Sequence, residues 1–184
     1  MEQHRWSQLD YYYDFITGVT IPRDHLRVQI FESFALNKRL SNNSKDYSYN
    51  DYKISLTQYP QWVQDFIRDH FRVQYEKTLC PMKAWGNIYG PMEQSYNRNQ
   101  VNPLELKSSP DYTWIYGVEV QPGSCELVVE YDDNRRKANT WHFPLENNKF
   151  IMFPSTQRYF ITKNKSPEMN VFLSVNCEAL LTPV

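Results

Sequence analysis

Phe150-Ile151-Met152-Phe153-Pro154-Ser155-Thr156-Gln157-Arg158-Tyr159, followed by Asn170-Val171-Phe172-Leu173-Ser174-Val175-Asn176, carries the clearest alternation of strand and turn in the chain. The first four residues form an apolar run of strand length, and Pro154-Ser155 breaks it. Tyr159 to Thr162 resumes the aromatic and β-branched pattern. Val171 to Val175 repeats it beyond the turn Asn164-Lys165-Ser166-Pro167. Such side chains fit a pleated, half-buried surface, so these segments read as strands of a sheet.

Working outward, Ala84 to Tyr89, Thr113 to Val120, Glu126 to Tyr131 and Thr140 to Phe143 have the same character. Pro122-Gly123-Ser124, Asp132-Asp133-Asn134 and Glu146-Asn147-Asn148 supply turn chemistry between them. Many short strands at close spacing predict a sandwich, jelly roll or barrel. In front of them, Pro60 opens a helix running to about Leu79, with Trp62, Val63, Phe66, Ile67 and Phe71 in one apolar stripe. Cys80-Pro81 stops it. Further upstream, Leu26, Val28 and Ile30 alternate with polar residues and predict a strand, and 40–51 reads as a loop. Residues 1–24 are polar and aromatic, with Tyr11-Tyr12-Tyr13 ahead of the breaker Ile21-Pro22. The fold class is mainly β with one flanking helix (α+β). Residues 1–58 form an N-terminal extension suited to an interaction arm, and 59–184 the sheet domain with its leading helix 60–79.

At 184 residues, 41% apolar and 16% aromatic, the chain is long enough to bury one core without staples. A net charge of −1 gives no electrostatic case for nucleic acid. The one dense basic run, Arg135-Arg136-Lys137, follows Asp132-Asp133 and reads as a solvated hairpin tip. No stretch approaches the roughly 20 apolar residues that span a bilayer. Met1-Glu2-Gln3-His4-Arg5 leads into no signal-peptide core, so cytoplasmic synthesis is expected. Cys80, Cys125 and Cys177 are an odd, scattered set and suit a reducing compartment, as buried thiols.

Residue chemistry alone offers no active site. Mononuclear non-haem iron wants two His and a carboxylate on one face. The four histidines, His4, His25, His70 and His142, are followed two residues on by Trp6, Arg27, Arg72 and Pro144, none an iron ligand. His142, between Trp141 and Phe143, reads as a structural, hydrogen-bonded histidine. There is no nucleophile elbow, phosphate loop or dinucleotide fingerprint. Ser155 reads as a turn residue at a strand end, and Cys125 and Cys177 as core thiols. No cofactor is expected.

Trp85-Gly86-Asn87-Ile88-Tyr89-Gly90 and Trp114-Ile115-Tyr116-Gly117-Val118-Glu119-Val120 nevertheless resemble strands of the Fe(II)/2-oxoglutarate oxygenases. The closer resemblance is to small oxygenase-like proteins encoded by tailed bacteriophages, notably those infecting cyanobacteria. The hairpin Glu126–Asp133, the Phe-Pro-Ser segment at 153–155 and the Ser-x-Asn ending at 174–176 match later pieces in order and spacing. The similarity covers about residues 60–178 and implies a double-stranded β-helix (jelly roll).

The same resemblance implies that the functional positions are substituted. The family's first metal-ligand pair falls at Tyr96-Asn97-Arg98, and its second metal histidine at Tyr159. The arginine that would pair with the 2-oxoglutarate carboxylate falls at Asn170, whose neutral amide cannot supply the charge. The expected function is therefore non-catalytic binding: a structural component of a phage particle (tail, neck or baseplate) whose partners are other protein subunits. Tyr11, Tyr12 and Tyr13 are its candidate contact residues, and Tyr96 and Tyr159 are expected to fill the altered pocket. The alternative is an active oxygenase with non-standard ligands, drawn from His142 with one of Asp111, Asp132 or Asp133.

Overall fold

The computed structural model describes residues 11–18, 20–40, 51–54, 65–70, 72, 78–134 and 137–180. Among them run strand β1 (Tyr12–Phe15), helix α1 (Arg23–Leu40), β2 (Asp51–Ile54) and a π-helical turn (Phe66–His70). Then follow β3 (Thr78–Tyr89), β4 (Tyr112–Glu119), β5 (Glu126–Asn134), β6 (Lys137–Pro144), β7 (Lys149–Pro154), β8 (Tyr159–Ile161) and β9 (Asn170–Leu180). A six-stranded sheet in the order β1-β7-β4-β9-β3-β2 packs against a three-stranded sheet in the order β6-β5-β8. Every pairing is antiparallel.

The seven strands expected from Ala84 onward are all present, with β3 beginning six residues earlier and β9 ending five residues later than expected. A central position, covered on both faces, explains the unbroken apolar run Phe150 to Phe153 of β7. On β9, Val171, Leu173 and Val175 face α1 together with Trp114 and Phe150, whereas Phe172 faces the small sheet with Ile115 and Leu127. A strand covered on both faces gains from apolar residues at every position. The second core, between the sheets, is closed by Phe153 and Tyr159, edge to face with ring centroids 5.0 Å apart.

The upstream half departs from expectation. Residues 26–30, expected as a strand, lie in α1. Leu26 and Ile30 are wholly buried one helical turn apart, while Val28 is 48% exposed. In a strand all three would share a face; the pair four residues apart fits either period, and Val28 decides for the helix. The Leu26 amide donates to the Pro22 carbonyl at 3.1 Å, so the breaker Ile21-Pro22 starts the helix.

Of the helix expected over 60–79, residues 60–64 lie outside the described set. Phe66 and Ile67 are buried in the helical turn, but Thr78, Leu79, Cys80 and Pro81 already belong to β3. Pro81 marks a register shift against β9, between Pro81 and Lys83, the kind of bulge where a sheet tolerates proline. Leu40 ends α1 and Asp51 opens β2, so only 41–50 of the expected loop lies between them, outside the described residues. Arg135 and Arg136 lie outside them too. Cys125 and Cys177 are buried as expected, whereas Cys80 is exposed, on the opposite side of β3 from buried Leu79.

β1 and β2 are the outermost strands of the large sheet, and α1 covers one of its faces. Its closeness to the sheet is set at Gly86, where a Cβ would come within 2.5 Å of Ile30 Cγ2. No described helix is long and apolar enough to cross a membrane.

Candidate functional site

Three neighbouring strands of the large sheet present a graded face to the small one. At one end the inward residues are apolar: Tyr89, Phe172 and Ile115. Two to six residues along the same strands they become polar: Trp85 and Lys83 on β3, Ser174 and Asn176 on β9, Thr113 on β4. Trp85 is in register with Ser174, and Lys83 with Asn176. The turn after β7 adds Ser155, and β8 opens with Tyr159.

The segment 95–100 crosses this polar end. Arg98 and Tyr159 form an isolated antiparallel bridge: the Arg98 amide donates to the Tyr159 carbonyl at 3.0 Å, and the Tyr159 amide returns a bond at 2.8 Å. The Arg98 guanidinium carbon lies 5.7 Å from the Tyr159 ring centroid and 6.0 Å from that of Trp85. Lys83 places its ammonium 5.2 Å from the same Trp85 ring.

Beneath these cations runs a buried hydrogen-bond chain. Gln100 Nε2 donates to the Tyr159 hydroxyl at 2.8 Å, and Gln100 Oε1 accepts from Asn176 Nδ2 at 3.3 Å. Thr113 Oγ1 lies 3.3 Å from Asn176 Oδ1 and 2.8 Å from Ser155 Oγ. Ser155, expected as a turn residue, is 1% exposed and ties the turn into this chain.

Two of the three positions expected to replace metal ligands, Arg98 and Tyr159, are thus brought together. The third is not: Tyr96 is 66% exposed, and only Tyr159 of the two tyrosines expected to fill the pocket does so. Asn170 lies at the start of β9, wholly buried. Its amide nitrogen donates to Ser124 Oγ at 2.8 Å and to Cys125 Sγ at 3.4 Å, and its Oδ1 accepts from the Gln121 amide at 3.0 Å. Burial pushes the Cys125 thiol up, against the lowering effect of the Ser124 and Asn170 hydrogen bonds.

His142, half-exposed on β6, pairs through Nδ1 with Glu126 at 2.9 Å. Asp111 accepts from the Ala179 amide at 2.8 Å, at the end of the β4–β9 ladder. The two are committed to different partners. The side chains of Asp132 and Asp133 lie outside the described residues. Tyr11 is 45% exposed and packs on Trp141 and Phe143, with centroids 5.0 and 5.3 Å away. Tyr12 leans on the helix-side core, and Tyr13 donates its hydroxyl to the Pro144 carbonyl at 2.8 Å.

No family model and no curated protein matches the chain. Solved structures do. AviO1 from Streptomyces viridochromogenes Tue57 superimposes with a TM-score of 0.64 at 9% identity, over 94% of this chain and 91% of its own. The truncated viral collagen prolyl hydroxylase of Paramecium Bursaria Chlorella virus-1 gives 0.60 at 13% identity, covering 98% and 99%. EvdMO1 gives 0.65 at 9% identity over 95% of this chain, which spans 47% of EvdMO1. The chain has their double-stranded β-helix fold.

Iron would be the group such a fold implies, and the residues here do not fit it. Arginine is permanently cationic and has no lone pair to offer a metal. The Tyr159 phenol is buried against Phe153 and engaged by Gln100. Among the described residues, no three His, Cys, Asp or Glu side chains converge on a metal-sized site. Sequence reading missed Gln100, which belongs to no motif, and the way Gln100, Asn176 and Thr113 meet Tyr159 and Ser155, which arises only through the fold.

Proposed function

We propose that this chain is a non-catalytic binding protein built on the oxygenase fold. The observation that carries the reading is the Arg98–Tyr159 contact: a guanidinium packed on a buried phenol stands where the resemblance puts iron ligands. A cation there opposes a second cation, and the side chains of both Arg98 and Tyr159 are engaged in the protein's own packing. Asn170 supports the same reading, because its amide is bonded on both sides within the core and leaves a 2-oxoglutarate carboxylate no charged anchor.

The test is thermal unfolding of the purified chain with Fe(II) or Mn(II), with and without 2-oxoglutarate. A ligand that binds only the native state raises the melting temperature. No shift is expected. Saturable stabilisation with near-stoichiometric metal would overturn the proposal in favour of a working oxygenase.

The partners this reading assigns are other protein subunits of a phage particle, with Tyr11 the most exposed of the three candidate tyrosines. The particle assignment rests on the resemblance to phage-encoded proteins alone. Mass spectrometry of extensively washed particles of the encoding phage tests it: stoichiometric recovery is expected, and absence from the particles overturns it.

A further inference from the structure

We infer that the seat of β1 accepts the same strand from a second copy of this chain, so that two copies pair by exchanging arms. The inference names a partner for the non-catalytic binding reading and rests on that reading for its role.

The seat provides the first observation, because it recognises this strand in particular. Tyr11, Tyr13 and Phe15 stand two residues apart and so share one side of the arm. Tyr11 packs on Trp141 and Phe143 of β6, and Tyr13 packs on Phe143 with ring centroids 5.2 Å apart. The Lys149 ammonium lies 4.3 Å from the Tyr13 ring centroid and 4.7 Å from that of Phe15, and 2.8 Å from Glu146 Oε1. The backbone of β1 pairs with β7, from Tyr12 opposite Met152 to Phe15 opposite Lys149, so the arm joins the margins of both sheets.

The connection to α1 provides the second, independent observation. Ile16 ends the anchored part: its amide donates to the Asn148 carbonyl at 2.9 Å, and its carbonyl accepts from Asn148 Nδ2 at 2.8 Å. After it, Thr17, Gly18 and Thr20 are exposed and carry no hydrogen bond among the described residues. Gly18 holds a φ of 77°, in the left-handed region, and nothing lies within 4 Å of where its Cβ would stand. This turn directs the strand back onto its own chain. Straightened, at up to about 3.4 Å per residue, the connection carries it outward instead.

Exchange then costs little. The seat makes the same contacts whether the arm comes from its own chain or from another, and reciprocal exchange closes a two-fold pair. Four paired residues at the margin of the large sheet hold the arm, with Tyr11 45% and Phe15 41% exposed, so opening draws on a weakly held part of the fold.

Photocrosslinking of the full chain with p-benzoylphenylalanine in place of Tyr11, refolded at a series of chain concentrations, tests the inference. Covalent dimers joined between position 11 and Trp141 or Phe143 are expected, in a share that grows with concentration. Gly18→Ala, at an exposed position, disfavours the returning turn and should raise the association constant by about fivefold or more. Crosslinks within single chains only, at every concentration and in Gly18→Ala, overturn the inference and leave the non-catalytic reading to its own metal test. Dimers joined only at other positions overturn it as well. Saturable stabilisation by Fe(II) or Mn(II) of chains that form the expected dimers keeps the exchange and overturns the non-catalytic reading.

Discussion

Arg98 and Tyr159 exchange backbone hydrogen bonds and stack guanidinium on phenol, and Ser95 exchanges bonds with Ile161 farther along the same two segments. The bridge fixes the segment after β3 against the small sheet, and Gln100, two residues on, reaches the Tyr159 hydroxyl because of it.

Tyr159→Phe keeps the ring against Phe153 and removes the acceptor for Gln100 Nε2. A loss of about 1 kcal/mol is expected in urea unfolding, against about 3–5 kcal/mol for Tyr159→Ala, which also opens a cavity. Equal losses in the two variants would mean that the hydroxyl, and not the ring, holds this end together.

Gly86→Ala places a methyl 2.5 Å from Ile30 Cγ2, on rigid strand backbone beneath the helix. Overpacking of about 1–3 kcal/mol is expected. Ile30→Ala should recover part of it, so a double-mutant cycle in denaturant gives a coupling energy well away from zero. Additive losses would show that α1 shifts freely.

Met92, 65% exposed, holds a backbone φ of 64°, in the left-handed region. That conformation costs an L-residue about 1–2 kcal/mol, of which glycine's greater freedom in the unfolded chain offsets part. Met92→Gly is expected to stabilise the protein by about 0.5–1 kcal/mol; destabilisation would mean that the methionine side chain contributes more than it costs.

Thiol chemistry should divide the three cysteines. Burial pushes the Cys177 and Cys125 thiols up, with nearby Cys80 adding to the effect at Cys177. In the unfolded chain they ionise near pH ~8.5. Their contribution is full below that pH and declines as pH rises above it, because only the unfolded chain then gains by losing the protons. Unfolding midpoints should fall between about pH 8 and about pH 9.5, around that pKa, and less steeply in Cys177→Ala. Under native conditions a chromogenic disulfide reagent should label Cys80 alone, and all three cysteines after denaturation.

The strands from Ala84 onward were legible because their burial shows in their residues: β9 is buried on both sides from Asn170 to Cys177 and sits at the centre of the large sheet. Turn residues such as Pro122-Gly123 punctuated them plainly. The helix over Leu26 and Ile30 was not legible, since two buried residues four apart satisfy helix and strand alike, and only the exposure of Val28 separates them. Pro81 misled for a related reason: proline stops a helix and also settles into a bulge. At the site, the resemblance placed Arg98 and Tyr159 opposite one another, but Tyr96 points to solvent. Gln100 was invisible, and so were the links from it to Asn176 and Thr113, because their partners are distant in sequence.

The hydrogen-bond chain through Tyr159, Gln100, Asn176 and Thr113 also bears on how such a protein can change. A histidine installed at 159 would strand Gln100 while the guanidinium of Arg98 still faced it, and a carboxylate installed at 98 would still face a phenol. Each single exchange is a step downhill in stability with no new chemistry to reward it. The interior is thus coupled: an exchange at 159 or 98 also disturbs Gln100, and through it Asn176 and Thr113, so effects of substitutions along this chain should not add.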